Sequence, residues 1–262
     1  MRRAIITLTT DFGLSDHFVG AMKGVILGIA PNAQIVDITH AIRPFQITEG
    51  AFAMAEACRF FPKKTVHVVV IDPGVGTARR PILAEAGGQY FVAPDNGVLS
   101  LVYARQKHRV RAVTAARYVL EPVSQTFHGR DVFAPVAAHL ARGVPPTRFG
   151  KRIEDYCRLG FGQPVRTGKR FWQGAILKVD HFGNLITNFH IAEFPLLETR
   201  PFQFNVGQAA MGELARTFAG GAAGEPALIV GSSGYLEVAI NQGSAAERLG
   251  VAAGAPVDLT IW

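Results

Sequence analysis

Two acidic residues stand where open α/β folds do their chemistry. Asp11 ends the apolar stretch AIITLTT and Asp72 ends TVHVVVI, and a glycine follows each within two residues. A buried strand running into an acid and a glycine turn puts the carboxylate at its C-terminal lip, where such sheets collect ligands. A carboxylate there can accept two hydrogen bonds from a vicinal diol, as a ribose presents. Asp16, in the same TDFGLSD segment, either adds a second acid to that turn or caps the helix that begins there. The loop DPGVGTAR at 72–79 is ordinary turn chemistry in one reading and a close ligand approach over glycine backbone in the other. It lacks the lysine-bearing pattern of a phosphate cradle.

Three further segments carry reactive types. TFHGRD at 126–131 sets His128 in a glycine-flanked loop ahead of an apolar helix, with Asp131 suited to the helix N-terminus, whereas His139 falls on the apolar face and reads as core. DHFGN at 180–184 follows a strand; Phe182 can stack on a flat base and Asn184 can both donate and accept at its edge, or the segment is a hairpin turn. GSSGYLEVAIN at 231–241 is a Gly/Ser loop entering a strand, able to read an adenine or hold a carboxylate, or a plain β-turn. No His, Cys or Asp set has metal-ligand spacing, so neither metal nor cofactor is expected. The DFG string at 11–13 has no kinase glycine-rich loop, lysine or HRD motif ahead of it.

Strands and helices alternate in the first part of the chain and would position these groups. Strands are expected at 4–9, 34–38, 65–71, 81–86, 89–93 and 110–114, with helices at 16–29, 47–61, 97–105 and 131–142. That alternation predicts a mostly parallel sheet covered on both faces. After the Pro-, Gly- and Arg-rich stretch 143–152 the pattern changes to short strands at 173–179, 184–189, 202–206, 227–231, 235–240 and 257–262. The expected architecture is therefore α/β: an N-terminal mostly parallel α/β sandwich domain over 1–165 and a smaller C-terminal antiparallel β-barrel domain over 166–262.

With 262 residues, 48% hydrophobic and 18% charged, the chain can bury a core and is not a disordered type. The net charge of +7 is scattered, without an aromatic-interleaved basic stripe, so no nucleic-acid partner is expected. The apolar runs are too short for a bilayer, no targeting signal is visible, and a cytoplasmic location is the expectation. Cys58 and Cys157 are far apart and are expected to be unpaired thiols.

In order, TDFGLSD, DPGVGTARR, APDNG, TFHGRDVFAP, DHFGN and SSGYLEVAINQGSAA resemble the S-adenosyl-L-methionine (SAM) hydroxide adenosyltransferase family, the SAM hydrolase group related to fluorinases and chlorinases. The resemblance spans nearly the whole chain. It implies an α/β domain joined to a β-barrel, a homotrimer with SAM or adenosine at subunit interfaces, and cleavage of SAM by water into adenosine and L-methionine. It implies a catalytic set of Asp72, Arg79 and His128. Asp11 would bind the ribose diol and Asp16 would face the methionine ammonium. Asp180, Phe182 and Asn184 would lie in the substrate site, the last two on the adenine side. Ser232, Glu237 and Ile240 would line the remaining adenosyl and methionine contacts. Where the halogenases carry Tyr and Thr in the loop and Ser in the halide pocket, this chain has Asp72, Val75 and Gly129, which favours water. A SAM-dependent 5′-halogenase and a non-catalytic adenosine- or SAM-binding protein are the alternatives.

Overall fold

The computed structural model describes residues 3–160, 162–218 and 224–262. The described residues up to Leu159 form one compact unit and those from Gly160 onward form another.

In the first unit the chain runs β1 (Ile5–Thr10), α1 (Phe18–Ile29), β2 (Gln34–Thr39), α2 (Ile47–Cys58) and β3 (Val66–Val70). There follow β4 (Pro81–Ala86), β5 (Gln89–Pro94), α3 (Ser100–Arg105), β6 (His108–Ala112), α4 (Ala134–Ala141) and β7 (Arg152–Ile153). The seven strands form one sheet in the order β2-β1-β3-β5-β4-β6-β7. Alternation along the strands separates its faces. Ile6, Leu8, Val66, Val68 and Val70 join Met22 and Ile26 of α1 and the buried α4 in one core. On the other face α2 packs closely: a Cβ at Gly50 would lie 2.5 Å from Ile71 Cδ1. Its buried Ala51, Met54, Ala55 and Cys58 follow the 3.6-residue period.

The sheet is mixed, not mostly parallel. Only β2, β1, β3 and β5 run in parallel; β4 pairs antiparallel with both β5 and β6, and β6 with β7. The reversal lies in Gly87 and Gly88, both at positive φ (59° and 80°), which close a tight β4–β5 hairpin where a crossover helix would otherwise be needed.

The second unit holds a curled sheet with the path β12-β11-β16-β9-β10-β15-β14-β13, and β8 pairs with β9 beside it. Its strands are β8 (Val165–Arg166), β9 (Phe171–Val179), β10 (Leu185–His190), β11 (Phe202–Val206), β12 (Ala209–Met211), β13 (Leu214–Ala215), β14 (Pro226–Val230), β15 (Tyr235–Ile240) and β16 (Pro256–Ile261). A short helix, α5 (Ala245–Leu249), starts at Ser244, whose hydroxyl accepts the Glu247 amide. Pairing is antiparallel except between β13 and β14. Phe189, Phe204, Leu236, Val238 and Leu259 form its core. Among the described residues no helix is long and apolar enough to cross a membrane, and both cysteines are free.

Candidate functional site

The sheet order β2-β1-β3 makes the gap between β1 and β3 the point where connections leave in opposite directions, the crevice where open sheets bind ligands. Thr10 pairs with Val70 in that register, so Asp11 and Asp72 leave neighbouring strands at the same edge. The Asp72 loop folds as successive turns: Val75 N–H donates to the Asp72 carbonyl (3.2 Å) and Thr77 N–H to that of Gly74 (3.2 Å). Gly76 has φ of 76°, and a Cβ there would sit 2.3 Å from the Gln125 carbonyl oxygen, so only glycine lets this loop lie against the one carrying His128. Phe12 and Phe127 bring the Asp11 loop to the same place, with ring centroids 6.0 Å apart.

The result is a buried ionic set. Arg79 Nε donates to Asp72 Oδ1 (3.1 Å) and its Nη2 donates to Asp72 Oδ2, a fork on the carboxylate. The side chains are 4% (Asp72) and 7% (Arg79) exposed. Arg79 Nη2 also lies 2.9 Å from His128 Nδ1. A guanidinium has no acceptor, so Nδ1 accepts and the imidazole proton sits on Nε2. Burial, reinforced by the neighbouring Arg79, pushes the His128 pKa down and keeps the ring neutral. Burial pushes the Asp72 pKa up, more than the Arg79 charge and hydrogen bonds pull it down. Arg79 Nη1 is buried with no hydrogen-bond partner among the described residues, leaving one donor of the set uncommitted.

His128 precedes a single π-helical turn, Gly129–Phe133, that leads into α4, where the sequence pattern predicts one continuous helix. Such turns collect at functional sites because they rotate the preceding residues out of the helical register. Asp131 lies in this first turn, at the N-terminal end of the helical stretch as the sequence suggests, and is paired with Arg130 (2.6 Å).

Asp11 Oδ2 accepts the Phe45 backbone N–H (2.9 Å). Phe45 is 68% exposed and holds φ of 68°, a strained backbone for an aromatic residue. Sequence reasoning missed it; its one signal was an apolar residue between Pro44 and a helix start. Asp16 is exposed and makes no hydrogen bond or ion pair among the described residues. It does not cap α1, which begins at Phe18 with His17 at the cap.

In the second unit Asp180 spends both oxygens on its own loop. Oδ1 accepts the Phe182 and Asn184 amides (2.8 and 2.9 Å), and Oδ2 accepts Asn184 Nδ2 (2.9 Å). Asn184 is buried by this, while Phe182 stands 74% exposed. Ile240 lies in the strand core and Ser232 is exposed on the loop before β15. Glu237 is 7% exposed, its carboxylate against Gly231, where a Cβ would be 1.8 Å from Oε1. Burial, with Asp180 adding its negative charge, pushes Glu237 from 4.5 up to about 7. The folded protein therefore holds this proton more tightly than the unfolded chain, and stability is lost as pH rises from about 4.5 through about 7. Glu237→Gln removes that loss: melting curves should show a gain on the order of 2 kcal/mol at pH 8 and almost none at pH 4.5. Equal shifts at both pH values would refute a buried titrating carboxyl.

The profile of the SAM hydroxide adenosyltransferase N-terminal domain matches residues 6–150, and that of its C-terminal domain matches residues 174–258. The chain is 40% identical over 259 residues to an (R)-S-adenosyl-L-methionine hydrolase of Salinispora tropica, covering 97% of each. It is 38% identical over 260 residues to one from Thermus thermophilus, covering 95% of this chain and 97% of the relative. A fluorinase of Actinoplanes sp. is more distant, 29% identical over 292 residues, with 98% and 97% covered. A solved structure of an uncharacterized conserved protein from Thermotoga maritima superposes with a TM-score of 0.90 at 38% identity, covering 97% of this chain and 99% of that one.

Proposed function

The chain belongs to the SAM hydroxide adenosyltransferase family, and from that premise we infer that it hydrolyses S-adenosyl-L-methionine to adenosine and L-methionine. The observation that carries the chemistry is the buried Asp72–Arg79–His128 set at the lip of β3. Water attacks the ribose C5′ as the C5′–S bond breaks. The bonding pair goes to sulfur, which leaves as the neutral thioether of methionine and needs no general acid. The difficulty is the nucleophile, which must be aimed and relieved of a proton.

Asp72 is the proton acceptor in this reading. With Nδ1 accepting from Arg79 and Nε2 protonated, His128 has no free lone pair for the task, and it serves by donating Nε2–H and holding Arg79 in place. Arg79 fixes the carboxylate by donating to both of its oxygens. Asp11 is proposed for the ribose diol and Asp16 for the methionine ammonium; Asp16 is exposed and unpaired among the described residues, as a ligand-binding acid should be. Phe182, Asn184, Ser232, Glu237 and Ile240 are proposed on the adenine and methionine side; Asp180 would act by shaping that loop. Carboxylates at ribose, water and amine, away from sulfur, avoid stabilising a sulfonium charge that is lost in the transition state.

The curated relatives are named for the (R) epimer at sulfur, and that epimer is the proposed substrate. We further propose two domains dividing near residues 160–165, closure of the second sheet into a barrel, a homotrimer with the substrate at subunit interfaces, and a cytoplasmic location. The test is an incubation of metal-free protein with each SAM epimer, with and without chloride, in labelled water. Adenosine and methionine with the label at C5′, insensitive to halide and faster from the (R) epimer, are expected. A 5′-halo product would make it a halogenase, and bound adenosine without turnover a binding protein.

A further inference from the structure

The APDNG segment at 93–97 touches the Asp72 loop at both of its ends. β3 stops at Val70, so the Ile71 carbonyl, the last before Asp72, lies past the end of the pairing with β1 and β5. Asn96 supplies one: its Nδ2 donates to Ile71 O (2.8 Å), while its Oδ1 accepts the Val98 amide (3.2 Å). At the other end, Arg80 follows Arg79 directly. The Asp95 carboxylate accepts Arg80 Nε (3.1 Å) and Nη2 (2.7 Å), and the Asp95 amide donates to the Arg80 carbonyl (2.9 Å). Asp95 is in turn fixed by the Cys157 amide (2.7 Å), and Arg80 by the Asp155 carboxylate (3.1 Å to each oxygen). Gly97, at φ 89°, lets Leu159 close over the pair, since a Cβ there would be 2.3 Å from Leu159 Cγ.

We propose that Asn96 is a positioning residue for the Asp72 carboxylate, acting through the Ile71 carbonyl, with Asp95 holding the Arg79 end of the same loop through Arg80. The Ile71–Asp72 peptide is the hinge on which the carboxylate would swing, and a buried carbonyl left unsatisfied there invites that rotation. The loop needs such bracing because it leaves the sheet at Val70 and re-enters it only at Pro81.

Asn96→Asp is the informative substitution. It keeps the shape and the acceptor for Val98, and sets an acceptor against the Ile71 carbonyl in place of a donor. The kinetic part rests on the hydrolase reading. The expected result is a fall in kcat for SAM of about 10–100-fold with KM within about twofold, because misaiming by an ångström costs that order. Asp95→Asn, which weakens the grip on Arg80, is expected to move kcat in the same direction by less. Gln89→Leu is the control: its amide donates to the Cys58 and Phe61 carbonyls (2.9 and 2.8 Å) at the opposite end of β5, so it should lower the melting temperature and leave kcat unchanged.

A second readout needs no turnover. NMR titration of His128, which faces Arg79, Asp72 and Asp131, should show its pKa rise in Asn96→Asp as Arg79 loosens from Nδ1. Wild-type kcat in a folded Asn96→Asp protein, an equal kcat loss in Gln89→Leu, or an unmoved His128 titration would each overturn the proposal. Failure of the wild-type protein to cleave SAM would sink the hydrolase reading and leave the titration to decide this one.

Discussion

Asp72→Asn should lower kcat for SAM hydrolysis by about 10²–10⁴-fold, the usual worth of a positioned general base, with KM changed only a few-fold. The side chains are nearly isosteric, so packing is preserved. What changes is chemistry: the amide has no basic lone pair for the proton of water, and it turns one of the two oxygens gripped by Arg79 into a donor facing a donor. A related expectation concerns the wild-type protein. Asp72 must be ionised to act, and burial pushes its pKa up, so activity should fall on the acid side at a higher pH than an ordinary exposed aspartate would give. Adenosine release followed by chromatography across pH measures both effects. Activity of the variant within tenfold of wild type would remove Asp72 from the role of base.

The part of this site that was legible in the sequence is the part that rests on period and punctuation. Apolar runs ending in Asp11 and Asp72 placed both acids at strand lips, and the structure has them leaving neighbouring strands at one edge. The alternation of strands and helices gave α1, α2 and α4 nearly at their observed bounds. What failed was direction. Nothing in the period of 81–86 and 89–93 distinguishes a hairpin from a crossover, and Gly87–Gly88 was the available clue. Three-dimensional contacts were equally hidden. The approach of Gly76 to Gln125 joins the Asp72 and His128 loops across 49 residues, and no local spacing announces it. Phe45 was missed because its role is in its backbone: a strained φ that turns an N–H toward Asp11. In the second unit, DHFGN showed its turn, but not that Asp180 would be consumed in building it.

Arg79→Ala should be the most damaging change to the folded protein as well as to turnover. The guanidinium and carboxylate are both buried, and removing one partner of such a pair leaves an unpaired charge at a cost of about 3–5 kcal/mol. For a chain of this length that corresponds to a fall in melting temperature of roughly 6–20 °C. The chemical consequence follows from the same desolvation. Burial already raises the Asp72 pKa, and the Arg79 charge and hydrogen bonds are what hold it back. Without them the carboxyl stays protonated to higher pH, so the acid limb of the activity profile should move upward, and part of the lost rate should return in alkaline buffer. His128 loses the donor that fixes its tautomer, and its own pKa should rise. Arg79→Lys restores charge but cannot fork across both oxygens, so it should recover much of the stability and little of the rate. Calorimetry and a pH–rate profile on both variants test this directly. An Arg79→Ala protein with an unshifted acid limb would show that Arg79 does not govern the ionisation of Asp72, and the buried set would then be a structural ion pair.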